Sequence, residues 1–274
     1  MTLGGEIDPW VGPLPGRGVA AIIIVMNQES AVRPLKPESG NRLYDHARHE
    51  RVRRALRWAI THIGWRVFAR LDQARIAGLE HLPASGPAIL MINHIAFIDP
   101  ILVLGNLPRN IVPLAKMEVY RIPVVGVFPW LWGVIPVRRA ELDRRALERA
   151  LAVLRAGEVI LIAPEAHRHS ALERGLEGVA YLGYKSGAPV VPVAVEGTPG
   201  YPTLVGPWNA TKPGAHFRLG RPFRFKPVYG RLPRERLRQM TDEAMYALAA
   251  MLPEHRRGYY SDLSKATIET IELL

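Results

Sequence analysis

Cysteine is absent from this chain of 274 residues, and that absence excludes several chemistries at once. Without a thiol the chain forms no disulfide, offers no thiolate ligand to a metal and has no cysteine nucleophile. Any proton transfer or nucleophilic attack must therefore depend on other side chains.

Long apolar runs are also missing. No stretch approaches the roughly 20 apolar residues that a helix needs to span a bilayer. The run Val19–Met26 is eight residues long and no small-residue cleavage site follows it, so we predict no secretory signal. Residues 1–40 are rich in glycine, proline and polar residues, and this composition predicts a disordered leader.

Acidic side chains are scarce relative to basic ones. The chain has 25 Asp and Glu against 36 Lys and Arg, of which six are lysines, and its net charge is +11. Such an excess favours an anionic partner, which could be nucleic acid, an acidic membrane surface or a phosphorylated substrate, although a generally basic surface is the simpler interpretation. No nucleic-acid-binding motif is recognisable, so we predict no nucleic-acid partner.

Residues 46–71 have the pattern of an amphipathic helix. Apolar residues from Val52 to Leu71 recur at steps of three and four, and arginines decorate the segment against a single glutamate. Arginines with nearby tryptophans suit the headgroup layer of an anionic membrane, so we predict a membrane-interface helix within residues 41–72. An ordinary surface helix packed on the core is an equally good interpretation.

After this helix, predicted strands and helices alternate, which favours an α/β domain over residues 73–274. We expect a central mixed, largely parallel β-sheet flanked by helices, preceded by the basic amphipathic helix. The predicted strands are residues 74–79, 88–92, 110–114, 159–163, 190–195 and 217–225. The predicted helices are residues 100–105, 141–155, 172–186 and 232–251.

The sequence Asn93-His94-Ile95-Ala96-Phe97-Ile98-Asp99-Pro100 directly follows one predicted strand. A histidine at that point can accept a proton, and a nearby carboxylate can fix its tautomer and stabilise the imidazolium. A single H-x4-D motif is weak evidence, and Asp99 before Pro100 is also typical of a helix N-cap. Both interpretations of Asp99 stay open at this point.

A second polar turn, Pro164-Glu165-Ala166-His167-Arg168, follows the predicted strand at residues 159–163. Functional residues of α/β sheets gather at the carboxyl ends of strands. We therefore expect this turn to share one edge of the sheet with His94, about seventy positions away in the chain.

Taken together, these motifs resemble those of the glycerophospholipid acyltransferases, of the 1-acylglycerol-3-phosphate acyltransferase type. That family has four sequence blocks, and counterparts to all four occur here in the same order. The first three are His94 with Asp99 (N-H-x4-D), residues 133–139 (an aliphatic run leading to arginine) and residues 163–168 (normally F-P-E-G-T-R). The fourth is Val190-Val191-Pro192-Val193, and the similarity extends from about residue 55 to residue 260.

The resemblance implies an enzyme that moves a fatty acyl group from acyl-CoA or acyl carrier protein to a lysophospholipid hydroxyl. His94 would be the general base, oriented by Asp99, and no resident cofactor or metal would be needed. Arg139, assisted by Arg138, would bind the acceptor phosphate, and Glu165 and Arg168 would position the acceptor. From the basic helix within residues 41–72 we also predict peripheral attachment to the cytoplasmic face of a membrane.

The third block departs from the family, because Ala166-His167 stands where glycine and threonine are usual. Losing the glycine restricts a turn near the acceptor, so a glycolipid or another lyso-lipid acceptor is an alternative. If water replaced the acceptor alcohol, the same His-Asp pair would make a thioesterase, and a non-catalytic lipid-binding protein is a third possibility. His167 and His169 could in principle contact a metal, but no third ligand has suitable spacing, so we predict no metal site.

Overall fold

The computed structural model describes residues 52–53, 55–57, 59, 74–121, 127–138, 143–199, 214–228 and 230–274. Three predictions therefore lie outside the described residues. They are the disordered leader over residues 1–40, most of the amphipathic helix and the phosphate-binding role of Arg139.

Within the described residues, a sheet of nine strands forms the centre of the domain, in the order β1-β7-β6-β2-β5-β3-β4, with β8 beside β6 and β9 beside β8. Strands β6, β2, β5, β3 and β4 run parallel, whereas β7 and β8 pair antiparallel with β6. The predicted mixed, largely parallel sheet is therefore confirmed. The strands are Arg75–Ala77 (β1), Ala88–Ile92 (β2), Ile111–Lys116 (β3), Ile135–Val137 (β4), Val159–Ile162 (β5), Val190–Glu196 (β6), His216–Leu219 (β7), Phe223–Phe225 (β8) and Ile271–Leu273 (β9).

Helices cover both faces of the sheet. Their bounds are Asp99–Asn106 (α1), Val127–Trp132 (α2), Arg144–Arg155 (α3), Gly178–Ser186 (α4), Arg234–Ala249 (α5) and Glu254–Arg257 (α6). Helices α3, α4 and α5 pack on the face lined by Ile89, Met91 and Ile160. Helix α1 and Trp132 pack on the opposite face. No helix among the described residues combines the length and apolar character needed to cross a bilayer.

The strands at the centre of the sheet form because their sequences are apolar without alternation. All residues of β2 and β5 are buried, and so are the first six of β6. Strands of a parallel sheet that is covered on both faces need this pattern. These strands lie within one residue of their predicted bounds.

Two predicted elements were wrong in extent. The helix predicted over residues 172–186 begins only at Gly178, because the preceding segment bonds instead to the C-terminal part of the chain. The strand predicted over residues 217–225 is two strands, β7 and β8, separated at Gly220. A Cβ atom at Gly220 would lie 2.4 Å from the sulfur of Met251, just after α5, so a larger residue there would have to displace the Met251 side chain.

Part of the amphipathic helix is described, and one of its arginines is not on a solvated face. Arg57 is only 3% exposed. Its Nε donates to the Trp132 carbonyl oxygen at 2.8 Å and its Nη1 to Asn110 Oδ1 at 2.7 Å, with Glu158 Oε2 3.8 Å from Nη1. Arg57 is therefore buried at the sheet rather than exposed, because Asn110 and Glu158, just before β3 and β5, supply acceptors.

Candidate active site

His94 and Asp99, predicted to act together, are in contact. His94 Nδ1 lies 3.0 Å from Asp99 Oδ2, and the His94 side chain retains 13% of its exposure. Because a carboxylate accepts hydrogen bonds, Nδ1 carries the ring proton. Nε2 then keeps its lone pair and is free of the contact with Asp99, which is the arrangement a general base requires.

Asp99 is held by backbone donors from the turn before it. The amides of Ile95 and Ala96 donate to Asp99 Oδ2 at 2.7 and 2.8 Å, and the side chain is fully buried. The N-cap of α1 is Ile98, with Asp99 already inside the helix. The alternative role of Asp99 as an N-cap is therefore wrong. Its carboxylate instead turns back toward His94, which buries a charge that an imidazolium would stabilise.

Asn93 aligns the His94 turn with the neighbouring strand. Its Nδ2 donates to the Val195 carbonyl oxygen at 2.9 Å, and its Oδ1 accepts from the Val195 amide at 2.8 Å. The side chain thus replaces a backbone pairing at the carboxyl end of β2. Asn93 had no separate predicted role, although its place in the N-H-x4-D motif could have suggested one.

The third block lies beside His94, as the shared sheet edge predicts. Glu165 is only 7% exposed and accepts from the Glu173 amide at 2.7 Å and from the amide of His94. Burial raises the pKa of Glu165 to about 7, although these two hydrogen bonds act to lower it. The carbonyl oxygen of His94 accepts from the His169 amide at 3.0 Å. The loop after β5 therefore holds both sides of the His94 backbone.

Ala166 has a φ of +60°, the only positive φ of a non-glycine residue in the described part of the chain. Left-handed backbone favours glycine, which is the residue expected at this position from the family resemblance. His167 and Arg168 follow and are exposed, and the rings of His167 and His169 lie 6.3 Å apart. No group of three or more metal-binding side chains occurs among the described residues.

The second block is farther from His94. Arg138 follows β4 and is exposed, and its backbone amide donates to Asp143 Oδ2 at 2.9 Å. Strand β4 lies three strands from β2, a spacing of about 14 Å at ~4.8 Å per strand.

Two charged residues beside the site were missed in the sequence. Glu196, the last residue of β6, forms an ion pair with Arg256, with Arg256 Nε 3.1 Å from Glu196 Oε1. Burial raises the pKa of Glu196, Arg256 lowers it, and the Asp99 carboxylate adds to the increase. A charge at the end of the apolar run Val190–Val195 was a usable signal for Glu196. Arg256 had none.

Comparison with known proteins places similar sequences and a similar fold beside this chain. A family model described as Acyltransferase matches residues 73–196, which include His94, Asp99, Glu165 and Arg168. The chain is similar to a chloroplastic 1-acyl-sn-glycerol-3-phosphate acyltransferase of Brassica napus, with 32% identity over 130 residues, 45% of this chain and 37% of the relative. The corresponding protein of Borreliella burgdorferi is 32% identical over 127 residues, 45% of this chain and 51% of the relative.

The chain thus spans between about a third and a half of the length of these curated relatives. Among solved structures, the 1-acyl-sn-glycerophosphate (LPA) acyltransferase PlsC from Thermotoga maritima aligns with a TM-score of 0.51 and 24% identity. That alignment covers 72% of this chain and 79% of the other, and it supports the fold.

Proposed function

We propose that the chain is an O-acyltransferase similar to the glycerophospholipid acyltransferases of the 1-acylglycerol-3-phosphate acyltransferase type, because a family model described as Acyltransferase matches residues 73–196. It moves a fatty acyl group from acyl-CoA or acyl carrier protein to the hydroxyl of a lysophospholipid such as 1-acylglycerol-3-phosphate. The observation that carries this proposal is the His94–Asp99 pair, with Nδ1 held at 3.0 Å and Nε2 left as the proton acceptor.

The reaction needs no covalent enzyme intermediate. His94 Nε2 takes the proton of the acceptor hydroxyl as its oxygen attacks the thioester carbonyl carbon. The tetrahedral intermediate then expels the thiolate, which takes the proton back from His94 and leaves as the free thiol. Buried Asp99 stabilises the imidazolium between these steps, and the absence of cysteine is no obstacle.

The acceptor occupies the same sheet edge. Glu165 and Arg168, on the loop after β5, position its glycerol and phosphate. Arg138, which follows β4, binds phosphate together with Arg139, the next residue in the sequence. Guanidinium groups suit phosphate binding because they present paired donors to the phosphate oxygens. Burial of Glu165 supports its assignment, since an acidic side chain with a raised pKa beside a proton acceptor is characteristic of functional sites.

The test is thiol release from palmitoyl-CoA with and without 1-acylglycerol-3-phosphate. We expect the wild type to release thiol only with acceptor, and His94→Ala to lower that rate by about 10²–10⁴-fold without a change in thermal unfolding. Asp99→Asn should also be impaired, whereas Asp262→Asn, at an exposed position of the C-terminal segment, should match the wild type. Release without acceptor would indicate a thioesterase, and no release with any lyso-lipid would favour a lipid-binding protein.

A different acceptor, such as a glycolipid or another lyso-lipid, is the second candidate. It is favoured by Ala166-His167, where an exposed imidazole replaces the expected threonine. A panel of lyso-lipid and glycolipid acceptors, compared for the wild type and His167→Thr, would decide between the two. Unchanged acceptor preference in the variant would contradict a role for His167.

Peripheral attachment to the cytoplasmic face of an anionic membrane is also proposed. Its support is three apolar side chains that are more than half exposed, Val52 on the N-terminal helical segment and Val127 and Trp130 on α2. The two elements adjoin, because Arg57 bonds to the Trp132 carbonyl oxygen. Trp130→Ser should weaken co-sedimentation with vesicles that contain phosphatidylglycerol, and unchanged sedimentation would contradict the proposal.

A further inference from the structure

Arg256 joins three segments that are distant in the sequence. Its guanidinium pairs with Glu196 at the end of β6, and its Nη1 donates to the Ser170 carbonyl oxygen at 2.6 Å. Its own carbonyl oxygen accepts from the Leu172 amide at 2.8 Å. Arg256 lies on α6, about sixty residues beyond the part of the chain that the family model matches.

Its neighbours extend the same attachment. The Tyr259 amide donates to the Leu172 carbonyl oxygen at 2.8 Å, and the Gly175 amide donates to the Tyr260 hydroxyl at 3.2 Å. Arg238 Nη1 donates to the Gly175 carbonyl oxygen at 2.6 Å. The second half of the loop between β5 and α4 therefore takes its shape from the C-terminal part of the chain rather than from its own sequence.

The first half of that loop contacts the proton acceptor. Glu165 accepts from the His94 amide, and the His169 amide donates to the His94 carbonyl oxygen. Ser170 and Leu172, which Arg256 contacts, come directly after His169. The residues that Arg256 contacts are thus only one and three positions from His169, so a displacement of Arg256 would be transmitted to the His94 backbone over a short distance.

Charge provides a second route to the same site. The charged and titratable groups that face Glu196 are Arg256, His255 and Asp99, and Asp99 in turn contacts His94. Arg256 therefore neutralises a carboxylate that lies beside the Asp99–His94 pair. On the other side of His94 the nearby carboxyl group is that of Glu165, and the charged residue that faces Glu165 is Glu173.

We propose that Arg256 is a positioning residue for acyl transfer, which fixes the loop that holds His94 and offsets the negative charge of Glu196 beside Asp99. This inference rests on the proposed function. It assigns to the C-terminal helix α6 a role in the reaction that the four sequence blocks do not contain.

The test compares Arg256→Gln with Arg256→Lys and with the double variant R256Q/E196Q. Arg224→Gln, an exposed arginine on β8, is the matched control. We expect R256Q to lower kcat/KM about 10-fold or more, because small misplacement of a reacting group is costly. The unbalanced Glu196 charge should favour the imidazolium and move the acid limb of the pH profile to higher pH.

The double variant separates the two effects. With both charges removed, the acid limb should return to its wild-type position while kcat/KM stays low, because the contact with Ser170 is still missing. Arg256→Lys should keep the wild-type pH profile and recover part of the rate. A residue with a purely structural role would not produce this separation between rate and pH profile.

Hydrogen exchange provides a readout independent of turnover. Amides of residues 169–176 should exchange faster in R256Q and at the wild-type rate in R224Q. An active wild type with unchanged kcat/KM, pH profile and exchange in R256Q would overturn this inference alone. An inactive wild type would overturn the proposed function and this inference with it. If R256Q does not fold, wild-type behaviour of both R256K and E196Q in rate and pH profile would overturn it.

Discussion

The two edges of the parallel sheet both bury charged side chains, but only one of them carries proton-transfer groups. At the amino edge, Arg57, Asn110 and Glu158 bond to one another and to backbone carbonyl groups. Arg109 similarly donates to the carbonyl oxygens of Pro83 and Gly86. These groups serve to join loops and the N-terminal helical segment to the ends of the strands.

At the carboxyl edge the charged groups are arranged in a different way. Asp99 has three donors on a single oxygen atom, Oδ2. Glu165 is buried with amide donors and no cation among the groups that shift its pKa, which burial raises to about 7. A negative charge on Glu165 is therefore costly to the fold, as is common where side chains must change protonation.

The same residue types therefore serve stability at the amino edge and chemistry at the carboxyl edge. Substitutions at the amino edge should change the free energy of unfolding and leave the activity of each folded molecule alone. Substitutions at the carboxyl edge should lower activity and leave the free energy of unfolding unchanged, or even raise it. Three substitutions test this contrast, beginning with the largest expected effect.

Arg57→Met should destabilise the protein by about 3–5 kcal/mol, because it removes a buried guanidinium that donates to the Trp132 carbonyl oxygen and to Asn110 and pairs with Glu158. Denaturant unfolding measures this change, and kcat per folded molecule should stay at the wild-type value. Adding Glu158→Gln removes the buried negative charge that Arg57 faces and should recover part of the loss. A large fall in kcat with unchanged stability would contradict the assignment of this edge to structure.

Glu165→Gln should change how stability depends on pH. The folded protein holds a proton on Glu165 up to about pH 7, whereas an unfolded chain releases it near pH 4.5. Folding therefore takes up a proton between these values, and stability falls as pH rises through this window. The stability lost across this window is about 3 kcal/mol, at ~1.4 kcal/mol per pKa unit.

Glutamine has no such proton to lose, so the variant should be more stable than the wild type at pH 8 and similar to it at pH 4.5. The measurement is the free energy of unfolding at several pH values. Glu148→Gln, at an exposed position of α3, is the control and should leave the pH dependence as it is. Equal pH dependence in Glu165→Gln and the wild type would show that Glu165 is not buried as a neutral acid.

How far the sequence predicts this contrast depends on whether the information is local. The apolar runs of β2, β5 and β6 predict buried strands to within a residue, since continuous burial is encoded position by position. The His94–Asp99 contact is also local, because it spans a single turn. Both could be predicted without knowledge of the rest of the chain.

The parts that were missed depend on distant partners. Residues 172–177 have a helical pattern, yet they bond to α6 and the residues after it, which no local pattern reveals. Arg57 has the spacing of a surface arginine, and its burial depends on Asn110 and Glu158, more than fifty positions away. Arg256 is one of three basic residues in a short helix and became notable only through Glu196 and Ser170.

The smallest expected effect is that of Ala166→Gly, again at the carboxyl edge. Ala166 has a φ of +60°, a conformation that costs a residue with a Cβ atom about 1–2 kcal/mol. Glycine removes that strain, but its greater conformational freedom stabilises the unfolded chain by about 0.4–1 kcal/mol. The net gain in stability should be about 0.5–1 kcal/mol by thermal unfolding. Ala156→Gly, exposed and at φ −76°, bears only the second contribution and should destabilise. Equal effects of the two substitutions would show that Ala166 is not strained. They would also contradict the proposed contrast between the two edges.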